Sequence, residues 1–194
     1  SFKEDASTIA ALIAYRKLVD IKGIKHTISF HSSIKRASEF ADLVGHDALD
    51  DYFSTPVDTF HVSGKLGTGE RSAILERFVG SECSLVTNAR CLTEGVDIPA
   101  VDAVIFADPK KSVVDIVQAA GRAMRLHPNK KLGYILIPVI LDESTGDLIG
   151  DAFKQVVQVI GALGMSDDRI IEEASHLVRM GNKGTNQSGI LEFI

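Results

Sequence analysis

This chain has few cysteines, no long apolar run and no excess of positive charge, and each of these absences argues against a class of protein. Two cysteines, Cys83 and Cys91, are too few for a disulfide framework and favour a reducing cytoplasm. The longest apolar run, 132–141, is far too short to cross a bilayer, so we expect no membrane partner. Neither the cysteines nor the six histidines show metal-ligand spacing, so no metal site is expected among them. The net charge of −5 argues against a strongly basic nucleic-acid domain, and any such contact must come from a local patch.

Short apolar runs alternate with helical patterns along the first 142 residues. Strands are predicted at 26–31, 59–62, 83–86, 101–107 and 132–140. Helices are predicted between them, at 6–19, at 34–44, around 74–78 and at 112–124. Because the strands are continuously rich in Val, Ile and Leu, the pattern is typical of a parallel sheet that helices cover on both faces. The predicted fold class is therefore α/β, an open parallel sheet over residues 1–142.

The character of the chain changes after Asp142. Apolar residues at helical spacing between Phe153 and Leu163 predict one helix, and a second follows Ser166. Residues 181–189 are rich in Gly and Asn and are predicted to be loose. We therefore interpret 143–194 as a helical appendage rather than as part of the sheet.

Polar and glycine residues follow several of the predicted strands. They are Ser32-Ser33, Ser63-Gly64-Lys65, Thr87-Asn88 and the segment around Asp108. Ligands of open α/β sheets bind at the carboxyl ends of the strands, where helix N-termini offer free backbone N–H groups to phosphates. A row of such sites would hold successive phosphates of a nucleic-acid strand. The alternative is that these Ser and Thr side chains are simple helix caps.

Two segments look like nucleotide-binding motifs but lack the groups that the chemistry needs. Residues 64–71 have the outer glycines of a phosphate-binding loop, but Glu70-Arg71 stand where Lys-Ser/Thr must contact the phosphates and magnesium. Asp142-Glu143 follow the last strand as a magnesium-holding pair would, yet no phosphate loop precedes them. We therefore expect residues 1–194 to lack the groups that bind ATP and its metal, and to hydrolyse no ATP by themselves.

Two arginines, Arg122 and Arg125, stand three positions apart behind Gly121 at the end of a helical pattern. At this spacing both lie on the same side of a helix. Paired guanidinium groups suit a phosphate whose charge grows in a transition state. Solvated helix charges are the alternative interpretation of both residues.

Four segments, in this order, resemble motifs of the second RecA-like domain of superfamily 2 helicases and translocases. Residues 27–32 are similar to motif IV, and 61–64, with Arg71 shortly after, are similar to the segment between motifs IV and V. Residues 87–99 are similar to motif V, and 118–125 to motif VI. The resemblance implies a RecA-like sheet and an ATP-dependent motor that acts on nucleic acid.

The resemblance also implies a role for each matching residue. Arg122 and Arg125 would be arginine fingers that reach ATP and Mg²⁺ held mainly by an N-terminal RecA-like domain of the same parent chain. Gly95 and Asp97 would approach the ribose and the metal-bound phosphates, and Gln118 would tie motif VI to that partner domain. Contacts to the nucleic-acid backbone would come from Ser32, Ser63, Gly64, Lys65 and Thr87. A turn role for Asp97 and an exposed helix position for Gln118 remain as alternatives.

The subgroup and the wider class are less constrained by the motifs. Residues 121–128, together with the helical appendage, look like the motor subunits of restriction enzymes and related large bacterial DNA helicases, which favours DNA over RNA as the partner. Ala119 stands where helicases of this superfamily often carry an arginine, so the subgroup is left open. Two other classes also stay open. One is a non-catalytic, degenerate helicase-like scaffold, and the other is a Rossmann-like nucleotide-dependent transferase, which would share the sheet but not motifs V and VI together.

Overall fold

The computed structural model describes residues 6–47, 51–89, 101–107, 121, 133–138, 159–161 and 163–164. Within these residues three helices and five strands follow one another in the chain. Their bounds are α1 Ala6–Lys22, β1 His26–Phe30, α2 Ile34–Val44, β2 Asp58–Ser63, α3 Thr68–Gly80, β3 Ser84–Ala89, β4 Ala103–Phe106 and β5 Tyr134–Leu136. Residues 159–161 and 163–164, in the predicted appendage, are also helical.

The five strands form one parallel sheet in the order β2-β3-β1-β4-β5. β1 is the central strand, paired with β3 on one side and β4 on the other. The register brings Ser29 of β1, Thr87 of β3 and His61 of β2 to the same level of the sheet. The predicted open α/β sheet with parallel strands is therefore confirmed.

Helices cover both faces of this sheet, as the continuous apolar strands predict. α1 and α2 pack on one face, where the buried side chains include Tyr15, Leu18, Phe40, Val44, Leu85 and Ile105. α3 packs on the other face, where they include Ile28, Phe30, Val62, Phe78, Val86 and Val104. Val159 and Leu163 join the second cluster, so this part of the appendage packs against the α3 face of the sheet. Each large apolar side chain buried in this way contributes about 1.5–3 kcal/mol.

The strand ends differ from the sequence prediction in one way that matters for the site. β3 was expected to end at Val86, with Thr87 and Asn88 in the following turn, but the strand continues to Ala89. Thr87 and Asn88 pair with residues on both neighbouring strands, so the parallel ladder, and not local propensity, sets where β3 ends. Elsewhere the elements overlap their predicted positions, and α1 ends at Lys22, directly before Gly23, whose φ of 63° favours glycine. The predicted helix at 112–124 lies outside the described residues except for Gly121, which is helical.

The polar segment between α2 and β2 is held against α1. The Asp20 carboxylate accepts hydrogen bonds from the backbone amides of Ser54 and Thr55, at 3.0 and 3.1 Å. The guanidinium group of Arg16 lies 5.1 Å from the centre of the Phe53 ring, a cation–π contact. The described part of this segment is thus attached to the first helix at two points.

Gly45 provides a test of how closely α2 packs on β2. It caps α2, and its amide donates to the carbonyl of Ala41 at 3.1 Å. A methyl group at this position would lie 2.7 Å from Oγ1 of Thr59 on β2. We expect Gly45→Ala to lower the free energy of unfolding by about 1–3 kcal/mol, because a stiff, β-branched neighbour must move. Urea unfolding of the purified chain measures this change.

Gly80→Ala is the matched control for that experiment. Gly80 is the last residue of α3, and among the described residues nothing beyond its chain neighbours and its own helix lies within 4 Å of where its methyl group would be. Alanine in a helix is more favourable than glycine by about 0.5–1 kcal/mol, so this variant is expected to be neutral or slightly stabilised. Equal losses in the two variants would show that α2 does not pack on Thr59 as described.

Candidate nucleic-acid interface

The carboxyl ends of β2, β3 and β1 lie side by side because these strands are neighbours in the sheet. The predicted contact residues Ser32, Ser63, Gly64, Lys65 and Thr87 all belong to this edge, on or just after these three strands. Strands 4.8 Å apart place the ends of β1 and β2, with β3 between them, about 10 Å apart. The fold therefore brings together residues that are more than fifty positions apart in the sequence.

At the end of β1, two adjacent serines have different surroundings. Ser33 is the N-cap of α2: its backbone is extended, with φ −142° and ψ 157°, and its Oγ accepts a hydrogen bond from the amide of Arg36 at 3.2 Å. Ser33 therefore fulfils the alternative expectation, that a serine after a strand caps a helix. Ser32 precedes the cap and is half-buried. The amide of His31 donates to the carbonyl of Asn88 at 3.0 Å, which ties this end of β1 to β3.

At the end of β2, a tight turn exposes two of the predicted residues. The amide of Leu66 donates to the carbonyl of Ser63 at 3.1 Å and closes the turn. Ser63 is only 5% exposed, whereas Gly64 and Lys65 are exposed. The guanidinium group of Arg71 on α3 donates to the carbonyl of Leu66 at 3.2 Å and holds the turn against the helix. Gly64 and Lys65 are thus presented to solvent on a turn that both neighbouring elements hold in place.

Thr87 lies at the same edge but inside the protein. Its side chain is 0% exposed, and its hydroxyl donates to the carbonyl of Phe60 on β2 at 3.4 Å. Nδ1 of His61 lies 2.9 Å from Oγ1 of Thr87. With the hydroxyl proton directed to Phe60, the imidazole N–H at Nδ1 is the donor to Oγ1. The hydroxyl of Thr87 therefore links β3 to β2, and its predicted contact with a phosphate stays a prediction.

Two histidines line this edge beneath α2. The Oγ of Ser29 and Nε2 of His31 are 2.9 Å apart, and the His31 ring lies 5.1 Å from the Phe40 ring of α2. His31 and His61 thus both form hydrogen bonds with side chains of the sheet. The sequence signal for the His61–Thr87 pair is weak, because the two residues become neighbours only through the register of β2 and β3.

Burial controls the protonation of His61. It lowers the pKa of the imidazole below its ordinary value of 6.5, while the Asp42 carboxylate acts in the opposite direction. Nε2 of the ring is itself buried and has no hydrogen-bond partner among the described residues. A second N–H at that atom would have no acceptor there, so the neutral imidazole is the form that fits this site.

Cys83 directly precedes β3, and its thiol is buried. Burial raises the pKa of the Cys83 thiol to about 11, and its Sγ donates to the carbonyl of Ile24 at 3.5 Å. Across the residues that the structure covers, no group of three or more metal-binding side chains is present.

Among these same residues no helix has the length and apolar character needed to span a membrane.

The predicted ATP-side residues lie outside the described residues. They are Arg122 and Arg125, expected as arginine fingers, and Gly95, Asp97 and Gln118, expected at the nucleotide. Gly121, directly before the first arginine, is helical and exposed, which agrees with the predicted helix there. The roles of the two arginines and of the three residues expected at the nucleotide stay predictions.

The sequence matches one protein family and several helicases. Residues 10–127 match the helicase conserved C-terminal domain. "Putative ATP-dependent helicase IRC3" of Saccharomyces cerevisiae is 30% identical over 114 residues, which is 59% of this chain and 15% of that protein. The chain thus spans only a small part of this relative.

Solved structures give the same fold. The ATP-dependent Type ISP restriction-modification enzyme LlaBIII, bound to DNA, is 28% identical with a TM-score of 0.75; the match covers 87% of this chain and 12% of that one. Domain 2 of the DEAD-box helicase Mss116p, bound to an RNA duplex, has a TM-score of 0.53 at 16% identity and covers 88% of this chain and 75% of that one. The second likeness concerns the fold alone, and together they confirm a RecA-like sheet of the helicase C-terminal type.

The lowered pKa of His61 predicts how stability changes with pH. Above about pH 7.5 the imidazole is neutral in both the folded and the unfolded chain and contributes no pH dependence. As the pH falls through 6.5 the unfolded chain takes up a proton that the folded chain refuses, so stability is lost. The loss should be small, because the ring is only partly buried and solvent screens its charge. Urea unfolding at pH 7.5, 6.5 and 5.5 measures it.

Two variants isolate the contribution of this histidine. His61→Gln should flatten the part of the pH dependence below 6.5, since glutamine does not titrate. Asp42→Asn removes the carboxylate that favours the protonated ring, so it should extend the loss of stability to lower pH. Wild-type pH dependence in both variants would contradict the assignment to His61.

Proposed function

The chain belongs to the helicase conserved C-terminal domain family, and on that premise we propose that it is the second motor domain of an ATP-dependent nucleic-acid helicase or translocase. One observation carries the proposal beyond the family. The ends of β1 and β2 present half-buried Ser32 and exposed Gly64 and Lys65 along a single sheet edge. Such an edge, next to two helix N-termini, suits a chain of phosphates.

The contacts at this edge are to the nucleic-acid backbone. Lys65 supplies a mobile positive charge, while Ser32 and the Gly64 amide supply neutral hydrogen-bonding groups. Ser63 and Thr87, which are buried at the same edge, are proposed as further contacts to the backbone. Contacts of this kind hold phosphates and carry no sequence information. On a chain of net charge −5, binding is weak and falls steeply with salt.

DNA is the proposed partner rather than RNA. The supporting observation is that the DNA-bound restriction-modification enzyme LlaBIII matches this chain at 28% identity and a TM-score of 0.75. The RNA-bound domain of Mss116p matches at 16% identity and a TM-score of 0.53. A restriction-enzyme type of motor is therefore the proposed subgroup.

ATP chemistry takes place between this domain and an N-terminal RecA-like domain of the same parent chain, which holds most of the ATP and the Mg²⁺. In this proposal Gly95 and Asp97 face the ribose and phosphates, and Gln118 links motif VI to the partner domain. Arg122 and Arg125 stabilise the charge that develops on the transferred phosphoryl group. The spacing of the two arginines on one helix side and the motifs around them support this assignment.

The proposed organisation is a RecA-like domain at 1–142 followed by a helical appendage at 143–194, working in the cytoplasm. Helical residues 159–161 and 163–164 support the appendage. Val159 and Leu163 pack against the sheet, so the described part of the appendage is attached to the motor domain.

Lys65 tests the nucleic-acid contact. Lys65→Ala should weaken binding of the purified chain to a short DNA oligonucleotide and reduce the slope of log K against log salt by about one. Ser32→Ala should weaken binding without changing that slope, because it removes no charge. The measurement is a fluorescence titration at several salt concentrations.

Lys25→Ala is the charge-matched control. Lys25 is exposed and directly precedes β1, at the opposite edge of the sheet, so both affinity and slope should stay at the wild-type values. Tight, salt-insensitive or strongly sequence-selective binding by the wild-type chain would contradict the proposed backbone contacts.

The arginine fingers are tested in the full-length motor. Arg122→Ala or Arg125→Ala should reduce ATP turnover by on the order of 10³-fold, with a smaller effect on ATP binding, because the charge they meet grows toward the transition state. Lysine at either position should restore little, since an ammonium group cannot reproduce the planar guanidinium. The ATPase rate and the melting temperature are measured together.

Arg77→Ala separates loss of catalysis from loss of an arginine. Arg77 lies on α3 with its guanidinium group 5.3 Å from the centre of the Phe60 ring, so its removal should affect stability and leave turnover unchanged. Near-normal turnover in the Arg122 and Arg125 variants would favour a non-catalytic scaffold instead.

A further inference from the structure

The geometry points to His61 as a positioning residue for the proposed nucleic-acid contacts at the carboxyl ends of β1, β2 and β3. His61 holds the end of β2 against β3, so that Gly64 and Lys65 stay in place for the phosphates. The inference rests on the proposed function of that edge. It concerns a residue outside the predicted contact set, since His61 neither follows a strand nor lies on an exposed turn.

The His61–Thr87 pair joins two strands at one level of the sheet. His61 and Thr87 are register partners on β2 and β3, and Nδ1 and Oγ1 are 2.9 Å apart. The hydroxyl of Thr87 also donates to the carbonyl of Phe60, so β2 holds it at two points. Thr87 is fully buried and His61 is half-buried, so the bond between them is partly shielded from water, which strengthens it relative to one at the surface.

The position of the pair along β2 connects it to the contact residues. His61 stands two residues before Ser63, whose carbonyl closes the turn that carries Gly64 and Lys65. Ser63 is also the last residue of β2 and pairs with Ala89, the last residue of β3. A movement of the β2 end away from β3 would therefore move the turn. The His61–Thr87 bond opposes that movement at the last position on the α2 face of β2 before Ser63.

Only one ring nitrogen of His61 takes part in this arrangement. Nε2 is buried and has no hydrogen-bond partner among the described residues, which costs free energy that a purely apolar side chain would avoid. Packing alone does not call for an imidazole here, whereas a hydrogen bond to Thr87 does. Burial lowers the pKa of His61, and the Asp42 carboxylate of α2 is the charge that acts on it, so the neutral ring fits the role.

The test exploits the difference between the two ring nitrogens. An asparagine amide can take the place of Nδ1, whereas a glutamine amide reaches the place of Nε2. We expect His61→Leu and His61→Gln to weaken binding of the whole chain to a short DNA oligonucleotide at pH 7.5 by about three- to tenfold, the worth of one hydrogen bond. His61→Asn should stay within about twofold of wild type. Equal affinity of all three variants and wild type would overturn the inference.

Two controls separate positioning from general stability. Val44→Ala loosens α2 over the same face of the sheet but leaves the pair intact, so it should lower the melting temperature and not the affinity of the folded chain. If it weakens binding as much as His61→Leu, His61 acts only through stability and the inference is wrong. Thr87→Val combined with His61→Leu should lose no more affinity than Thr87→Val alone, because Thr87→Val already removes the bond to His61 as well as the bond to Phe60. Additive losses would contradict the pair.

Failure of this inference can be told apart from failure of the proposed function. If wild-type chain binds DNA and Lys65→Ala reduces the salt slope, but His61→Leu binds as wild type does, only the positioning role is overturned. If wild-type chain does not bind DNA, or Lys65→Ala leaves the slope unchanged, the proposed edge is wrong and the positioning role falls with it.

Discussion

The parallel pairing of β1 with β3 and β4 is the constraint on which the rest of this structure depends. β1 is the only strand that joins the two halves of the described sheet, β2-β3 and β4-β5. The Asp102 carboxylate strengthens its start by accepting from the amides of Lys25 and His26 at 2.8 and 3.2 Å, while the Asp102 amide donates to the carbonyl of His26 at 2.8 Å. Because all strands run in the same direction from this pairing, their carboxyl ends meet at one edge.

That edge combines a polar interior with an exposed rim. Beneath α2 the inward-facing positions of β1, β2 and β3 at one level hold Ser29, His61 and Thr87 rather than apolar residues. Buried polar groups are costly unless they are hydrogen-bonded, and here the hydrogen bonds of Thr87 to β2 and of Ser29 to His31 offset this cost. The result is a polar level of the sheet beneath α2, at the end that carries the exposed rim.

Local patterns predicted much of the fold, and they failed where longer-range contacts decide. Apolar spacing placed each of the three described helices and five described strands, because burial on one or both faces follows from residue order. The end of β3 was missed, since Thr87 and Asn88 are polar and look like turn residues until two neighbouring strands pair with them. Ser32 and Ser33 could not be distinguished either, because the cap is defined by backbone angles at Ser33.

The sequence by itself determined the class of the protein: the order of strands and helices, and the four motifs that resemble a helicase motor domain, both of which depend on spacing within short segments. Only the tertiary structure decided which of the predicted contact residues face solvent. Gly64 and Lys65 do, whereas Thr87 is buried against His61, 26 positions earlier in the chain. The physical reason is that exposure and hydrogen-bond partners at a sheet edge are set by strand register and by the helix above, and both arise from contacts between residues far apart in the sequence.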